Sequence, residues 1–131
     1  MTLKVNVFLY EGCSEDVSRM KLEAKHQAMQ DLIQGWSKKR VNEKPNWNVI
    51  PFTYQDMGQS FCVQRQVPGY ILFAFQSDGE KEADFKLRIE ESIREILNES
   101  KNEKWDVNGL RYVKHYYERI EVIKNQDLWM L

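Results

Sequence analysis

The sequence predicts one α+β domain in which two amphipathic helices cover a single β-sheet. Strand-like and helix-like patterns alternate along the chain, and its 131 residues suit a single domain. Hydrophobic residues make up 42% of the sequence, enough to build a core without disulfide support. We therefore expect residues 1–131 to fold as one domain.

The first half of the chain predicts a strand, a long helix and a second strand. Aliphatic residues alternate with other types over residues 3–10, which is the two-residue period of a strand. Residues 14–40 predict a helix, because Ser14 can cap its start and apolar residues recur every three or four positions. Residues 47–54 predict a strand, and Pro51 indicates an edge position or a bulge because it cannot donate a ladder hydrogen bond.

A central strand and a second helix are predicted next. Pro68 and Gly69 indicate a turn, and residues 70–75 are apolar on both faces, as in a central strand. Ser77 and Glu80 have the spacing of a capping box at a helix start. The apolar stripe of this helix consists of Phe85, Ile89, Ile93 and Ile96.

The last part of the chain predicts a strand over residues 110–123, where valine, isoleucine and tyrosine dominate. A helix would also fit the spacing of its apolar residues. Asn108 and Gly109 favour an additional hairpin near 105–123. The element order β-α-β-β-α-β predicts a ferredoxin-like fold, an antiparallel sheet with both helices on one face. Its first and third strands would be central.

Charge and cysteine content narrow the class of protein. Nineteen basic and twenty acidic side chains give a net charge of -1. A protein that binds nucleic acid mainly through its phosphates is expected to be basic overall, and this chain is not. Cys13 and Cys62 are the only cysteines, so we expect a cytoplasmic protein with reduced thiols. The longest apolar run, residues 70–75, is too short to span a membrane as a helix.

No motif indicates a catalytic reaction, a metal or a cofactor, and we expect none of them. Cys13 precedes the first predicted helix, whose dipole favours a thiolate, but Glu11, Glu15 and Asp16 oppose this. The glycines form no phosphate-binding loop. The residues of the types that bind transition metals well do not have the spacing of a known metal site. They are Cys13, His26, Cys62 and His115.

The predicted function is protein interaction by a small accessory, regulatory or assembly domain. Two helices on one face would leave the other face of the sheet open, and a large apolar patch there calls for a partner. That partner would be another protein or a second copy in a homodimer. Residues 125–131 would form an interaction tail. The predicted binding residues are Phe8, Tyr10, Tyr70, Leu72, Tyr112, Tyr116 and Trp129.

The alternative function is binding of RNA or single-stranded DNA. Val7, Phe8 and Leu9 resemble the first-strand motif of RNA-recognition motifs. Gly69 and Tyr70, together with Phe75, resemble part of their third-strand motif. The resemblance implies base stacking on the sheet. The positions that depart from the pattern are Glu11, Pro68 and Leu72. The last strand mixes basic and aromatic side chains suited to single strands, namely Arg111, Tyr112, Lys114, His115, Tyr116, Tyr117 and Arg119.

Overall fold

The computed structural model of the chain describes residues 1–11, 19–39, 45–57, 64–107 and 109–121. Its elements are β1 (Thr2–Glu11), α1 (Arg19–Lys38), β2 (Asn48–Met57), β3 (Gln64–Phe75), α2 (Glu82–Glu99) and β4 (Leu110–Ile120). The strands form one sheet in the order β2-β3-β1-β4, and every neighbouring pair is antiparallel. The α+β class is confirmed, with a four-stranded antiparallel sheet and two helices. These features are consistent with a ferredoxin-like fold.

One hydrophobic core lies between the sheet and both helices. The odd-numbered residues of β1 point into it, as the strand period requires. The buried helix residues lie on one stripe of each helix, which includes the predicted stripe of α2. The core residues from β1 and the two helices are Leu3, Val5, Val7, Leu9, Met29, Leu32, Ile33, Trp36, Phe85, Ile89, Ile93 and Ile96.

The predicted strand positions agree with the sheet order. β3 is central, and β2, which contains Pro51, is an edge strand. The final element, β4, is a strand rather than a helix. The predicted first turn of α1 begins at Ser14 and falls within residues 12–18, which lie outside the described part of the chain, as do residues 58–63 and 122–131.

The predicted turn at Pro68 and Gly69 is wrong, because both residues lie within β3. The pairing of β3 with β1 ends at Tyr10 and Gly69, so at Pro68 the strand has a neighbour only in β2. A missing N–H is tolerated in that position. Gly69 is required by a close approach: a Cβ there would lie 2.7 Å from Cζ of Phe52.

The second helix begins at Glu82, later than the capping-box spacing predicts. Glu80 does accept a hydrogen bond from the Ser77 backbone N–H, at 3.0 Å. Its carboxylate also accepts two hydrogen bonds from Arg88, at 2.8 and 2.9 Å. The acidic residue of the box therefore joins the β3–α2 loop to the second turn of the helix.

The additional hairpin near 105–123 is wrong for the described residues, because 105–107 form no strand and β4 pairs with β1. Two apolar side chains hold this segment against the helices instead. Val107 is buried in the core. Trp105 packs against that core, and its Nε1 donates a 2.8 Å hydrogen bond to Glu99.

Candidate interaction surface

The sheet face opposite the helices carries aromatic and aliphatic side chains from all four strands, and we call it the open face. Side chains that oppose each other across an antiparallel pair share a face, so the register identifies its members. Phe8 and Tyr10 lie on this face as predicted, because they alternate with the buried residues of β1. The other large apolar members are Ile50, Phe52, Ile71, Phe73, Phe75 and Tyr116.

Tyr70 and Leu72 do not lie on the open face, so their predicted placement is wrong. Tyr70 pairs with Leu9 and Leu72 pairs with Val7, both of which face the helices. Tyr70 and Leu72 are accordingly buried in the core. Because β3 is apolar on both sides, its sequence does not show whether the odd-numbered or the even-numbered residues face the helices. The residues of β3 that lie on the open face are Ile71, Phe73 and Phe75 instead.

A register shift in β4 separates Tyr112 from Tyr116. The pairing with β1 slips between Phe8 and Leu9, so that Phe8 faces Lys114 but Leu9 faces Tyr112. A bulge of this kind reverses the side on which the following residues point. Tyr116 therefore stays on the open face, whereas the predicted open-face position of Tyr112 is wrong.

The aromatic rings of the open face contact one another, and the ammonium groups of two lysines lie against them. Phe8 and Tyr116 stack with ring centroids 5.9 Å apart. Lys114 Nζ lies 5.2 Å from the Phe8 centroid, and Lys4 Nζ lies 4.8 Å from that of Phe73. These cation–π contacts place positive charge directly on the aromatic surface.

Asn6 lies at the centre of the open face, between Phe73 on β3 and Tyr116 on β4. It is only 6% exposed. Its amide nitrogen is buried and has no hydrogen-bond partner among the residues that the structure describes. A buried donor without an acceptor costs free energy, so an acceptor brought by a ligand would relieve that cost.

Charge is unevenly distributed along the open face. At one end, Lys4 forms an ion pair with Glu118 at 3.5 Å. At the other end, Arg111 lies opposite Tyr10 and Lys114 lies opposite Phe8. Neither Arg111 nor Lys114 forms an ion pair within the described ranges. This end of the face therefore offers positive charge to an acidic group.

Tyr112 and His115 line a cleft of about 320 Å³ between α2 and β4, on the helix side of the sheet. Tyr112 Oη lies 2.7 Å from His115 Nδ1. Behind them, burial raises the pKa of Tyr117 to about 12, and the charge of Glu90 acts in the same direction. The Tyr117 hydroxyl is buried and has no hydrogen-bond partner in the described structure.

A buried carboxylate lies at the end of β1, where sequence reasoning predicted no core residue. Glu11 is completely buried, and its Oε1 accepts a 2.6 Å hydrogen bond from the Tyr70 hydroxyl. Lys25 Nζ lies 3.4 Å from Glu11 Oε2 and 3.3 Å from Asp106 Oδ1. Strand alternation extended by two residues beyond Leu9 would have placed Glu11 in the core.

Among the residues that the structure describes, the candidate metal ligands do not assemble into a site. The described residues contain no group of three or more histidine, cysteine or acidic side chains that could hold a metal ion. His26 is half-buried, with Nε2 3.3 Å from the Val49 carbonyl oxygen. Cys13, Cys62 and Trp129, together with the predicted tail 125–131, lie outside the described ranges.

Comparisons with protein-family models, with curated proteins and with solved structures found no match. Within the described ranges, no helix is long and apolar enough to cross a membrane.

Proposed function

We propose that this protein is a small, non-catalytic interaction domain that docks another protein on its open face. The proposal takes the fold to be ferredoxin-like, with the helices as a support for the sheet. It also places the domain in the cytoplasm, which is supported by the presence of only two cysteines in the sequence.

The observation that carries the proposal is the exposure of large apolar side chains on the open face. Ile50 is 47% exposed, Tyr116 45% and Phe75 39%. Half-buried rings, including Phe8 and Phe73, extend the apolar surface between them. Contiguous apolar patches on a protein surface mark sites of interaction, and aromatic residues are enriched in such interfaces.

The charge pattern favours an unlike partner over a second copy. At the open-face positions of β1 and β4, Arg111, Lys114 and Lys4 outnumber the single acidic residue Glu118. Two copies meeting through this face would bury positive charge without enough carboxylates to neutralise it. A partner with a different surface avoids that cost.

Binding of RNA or single-stranded DNA is the second candidate. It is favoured by one observation, the stacked Phe8–Tyr116 pair beside Lys114 and Arg111. Aromatic rings flanked by basic side chains suit bases and phosphates. The β2–β3 half of the face favours a protein instead, because Ile50, Ile71 and Phe75 are apolar there.

The proposal is tested by comparing serine substitutions on the two sides of the molecule. Ile50→Ser and Phe75→Ser remove exposed apolar side chains from the open face. Leu87→Ser is the matched control, because Leu87 is 54% exposed on α2. In affinity purification from cells that make the protein, we expect a partner to be recovered with wild type and Leu87→Ser. Each open-face variant should weaken the purified complex at least about tenfold, or about 1.4 kcal/mol.

Equal binding by all four proteins would contradict docking on the open face. Light scattering of the purified wild type supplies the second readout. A mass of twice the chain that returns to one chain in Ile50→Ser would show that the occupant is a second copy.

A further inference from the structure

We infer that the segment docked on the open face carries apolar side chains over β2 and β3 and carboxylates at the Arg111–Lys114 end. The inference rests on the proposed function and adds the chemistry and direction of the partner. Three observations support it: the positive charge at one end of the face, the contact of Lys114 with the Phe8 ring, and the buried amide of Asn6.

The two ends of the open face differ in whether their basic side chains form an ion pair. Lys4 is already neutralised by Glu118 at 3.5 Å. Arg111 and Lys114 occupy successive open-face positions of β4 at the other end, with the register shift between them. No carboxylate of the described residues contacts either of them. A partner carboxylate therefore gains a charge-assisted contact at one end only.

Lys114 is positioned to receive such a group. Its Nζ lies 5.2 Å above the Phe8 ring, so its aliphatic stem and charge cover part of the apolar surface. A docked segment with apolar groups alone would displace the Lys114 ammonium group from the Phe8 ring. It would offer no new contact for that charge. A segment that also brings a carboxylate compensates the lysine as it moves.

Asn6 supplies an independent indication that the face binds a group with a hydrogen-bond acceptor. It is 6% exposed, its amide nitrogen has no hydrogen-bond partner within the described ranges, and it lies between Phe73 and Tyr116 on the open face. A peptide carbonyl or a side-chain carboxylate would satisfy it. The central donor and the basic end thus select for polar groups that a purely apolar partner lacks.

The overall charge favours a protein segment over a polynucleotide. The whole chain carries a net charge of -1, although the described part of the open face is basic. The rest of the molecule is consequently acidic. A short segment with a few carboxylates contacts only the basic end, whereas a long phosphate chain would lie against a molecule that has no net positive charge.

The test selects random dodecapeptides displayed on phage against the full chain. We expect the peptides enriched on wild type to combine apolar residues with aspartate or glutamate. Arg111→Glu/Lys114→Glu should bind a synthetic, fluorescein-labelled copy of the best peptide at least about tenfold more weakly. Lys81→Glu/Lys101→Glu is the matched control, because both lysines are exposed and lie beside α2 rather than on the open face.

A second variant addresses Asn6. Asn6→Leu replaces the buried donor with an apolar side chain of similar size, so thermal stability should be retained. Its affinity for the same peptide should fall roughly threefold to tenfold if the amide donates to the ligand. Unchanged affinity would overturn the role assigned to Asn6.

The outcomes distinguish this inference from the proposed function. Peptides that lack acidic residues but lose binding in Phe75→Ser would overturn the inference and leave the docking surface intact. Peptides whose binding no open-face variant changes, or a failure to enrich any peptide, would overturn both. Tighter binding of a labelled mixed-sequence RNA dodecamer, lost in Arg111→Glu/Lys114→Glu, would replace the protein segment with a nucleic acid.

Discussion

Tyr70 illustrates how one hydroxyl changes the role of an aromatic residue. Its ring fills the core, and its hydroxyl donates a 2.6 Å hydrogen bond to Glu11, a fully buried carboxylate. Burial of a charged group is costly unless hydrogen bonds and an opposite charge compensate it. Tyr70 and Lys25 provide both to Glu11. Tyr70 is therefore a structural residue, and the open face does not depend on its side chain for contact.

Removing the Tyr70 hydroxyl should destabilise the fold and spare binding. Tyr70→Phe keeps the ring in the core but removes a hydrogen bond to a buried carboxylate, so the free energy of unfolding should fall by about 2 kcal/mol. Urea unfolding followed by tryptophan fluorescence measures it. Tyr116→Phe is the control, because Tyr116 is 45% exposed, and should unfold like wild type. Wild-type stability of Tyr70→Phe would show that the remaining contacts of Glu11 suffice.

At the scale of elements, the segment after α2 joins both helices. Trp105 donates a hydrogen bond to Glu99 at the end of α2, and Glu99 also contacts Lys39 just beyond α1, at 2.7 Å. The Trp105 ring lies against Gly35 so closely that a Cβ on Gly35 would overlap it. Gly35 thus permits the close approach of this loop to α1.

Gly35→Ala tests this contact, because two effects of opposite sign compete. Alanine is favoured over glycine inside a helix by about 1 kcal/mol. Overlap with the Trp105 ring should outweigh this gain and lower the free energy of unfolding by about 1 kcal/mol or more. Thermal and urea unfolding give the difference from wild type.

The matching control removes the ring. In a Trp105→Ala background, Gly35→Ala should stabilise the protein by about 1 kcal/mol, the helix-propensity gain alone. A sign change between the two backgrounds supports the packing argument. Equal effects in both would show that the tryptophan does not determine the cost.

The order of elements could be predicted from the sequence, because each strand or helix has its own hydrophobic period. The facing of β3 could not, because residues 70–75 are apolar on both sides and a shift of one residue exchanges the two sets. The bulge that separates Tyr112 from Tyr116 depends on pairing with β1 and leaves no local signal. Phe8 and Tyr10 were placed correctly because β1 has one aliphatic side.

At the scale of the whole molecule, acidic side chains join elements on the helix layer while basic side chains dominate the open face. Glu80 contacts Arg88 near the start of α2, and Glu99 contacts Lys39 near its end. Both carboxylates are mostly buried, with 15% and 13% of their side chains exposed. The two layers therefore use charge differently, for internal contacts beside α2 and for an external partner on the sheet.

The internal contacts make folding stability depend on pH. Hydrogen bonds from Lys39 and Trp105 lower the pKa of Glu99 below its ordinary value of 4.5. Burial alone would raise the pKa of Glu80, but hydrogen bonds from Arg88 and the Ser77 backbone outweigh it and lower the pKa. In the unfolded chain both groups bind protons more readily. Their stabilisation is thus present above pH 4.5 and is lost as the pH falls through the lowered values.

We expect the free energy of unfolding of wild type to decrease between pH 7 and acidic pH, with part of the decrease due to these two groups. Glu80→Gln/Glu99→Gln should be less stable than wild type at pH 7 and should lose less stability on acidification, because glutamine does not titrate. Urea unfolding across the pH range measures both slopes. Glu103→Gln, an exposed substitution between α2 and β4, controls for the loss of an acidic side chain. If the double variant keeps the wild-type slope, other carboxylates govern acid unfolding, and the contacts at the ends of α2 contribute little to stability.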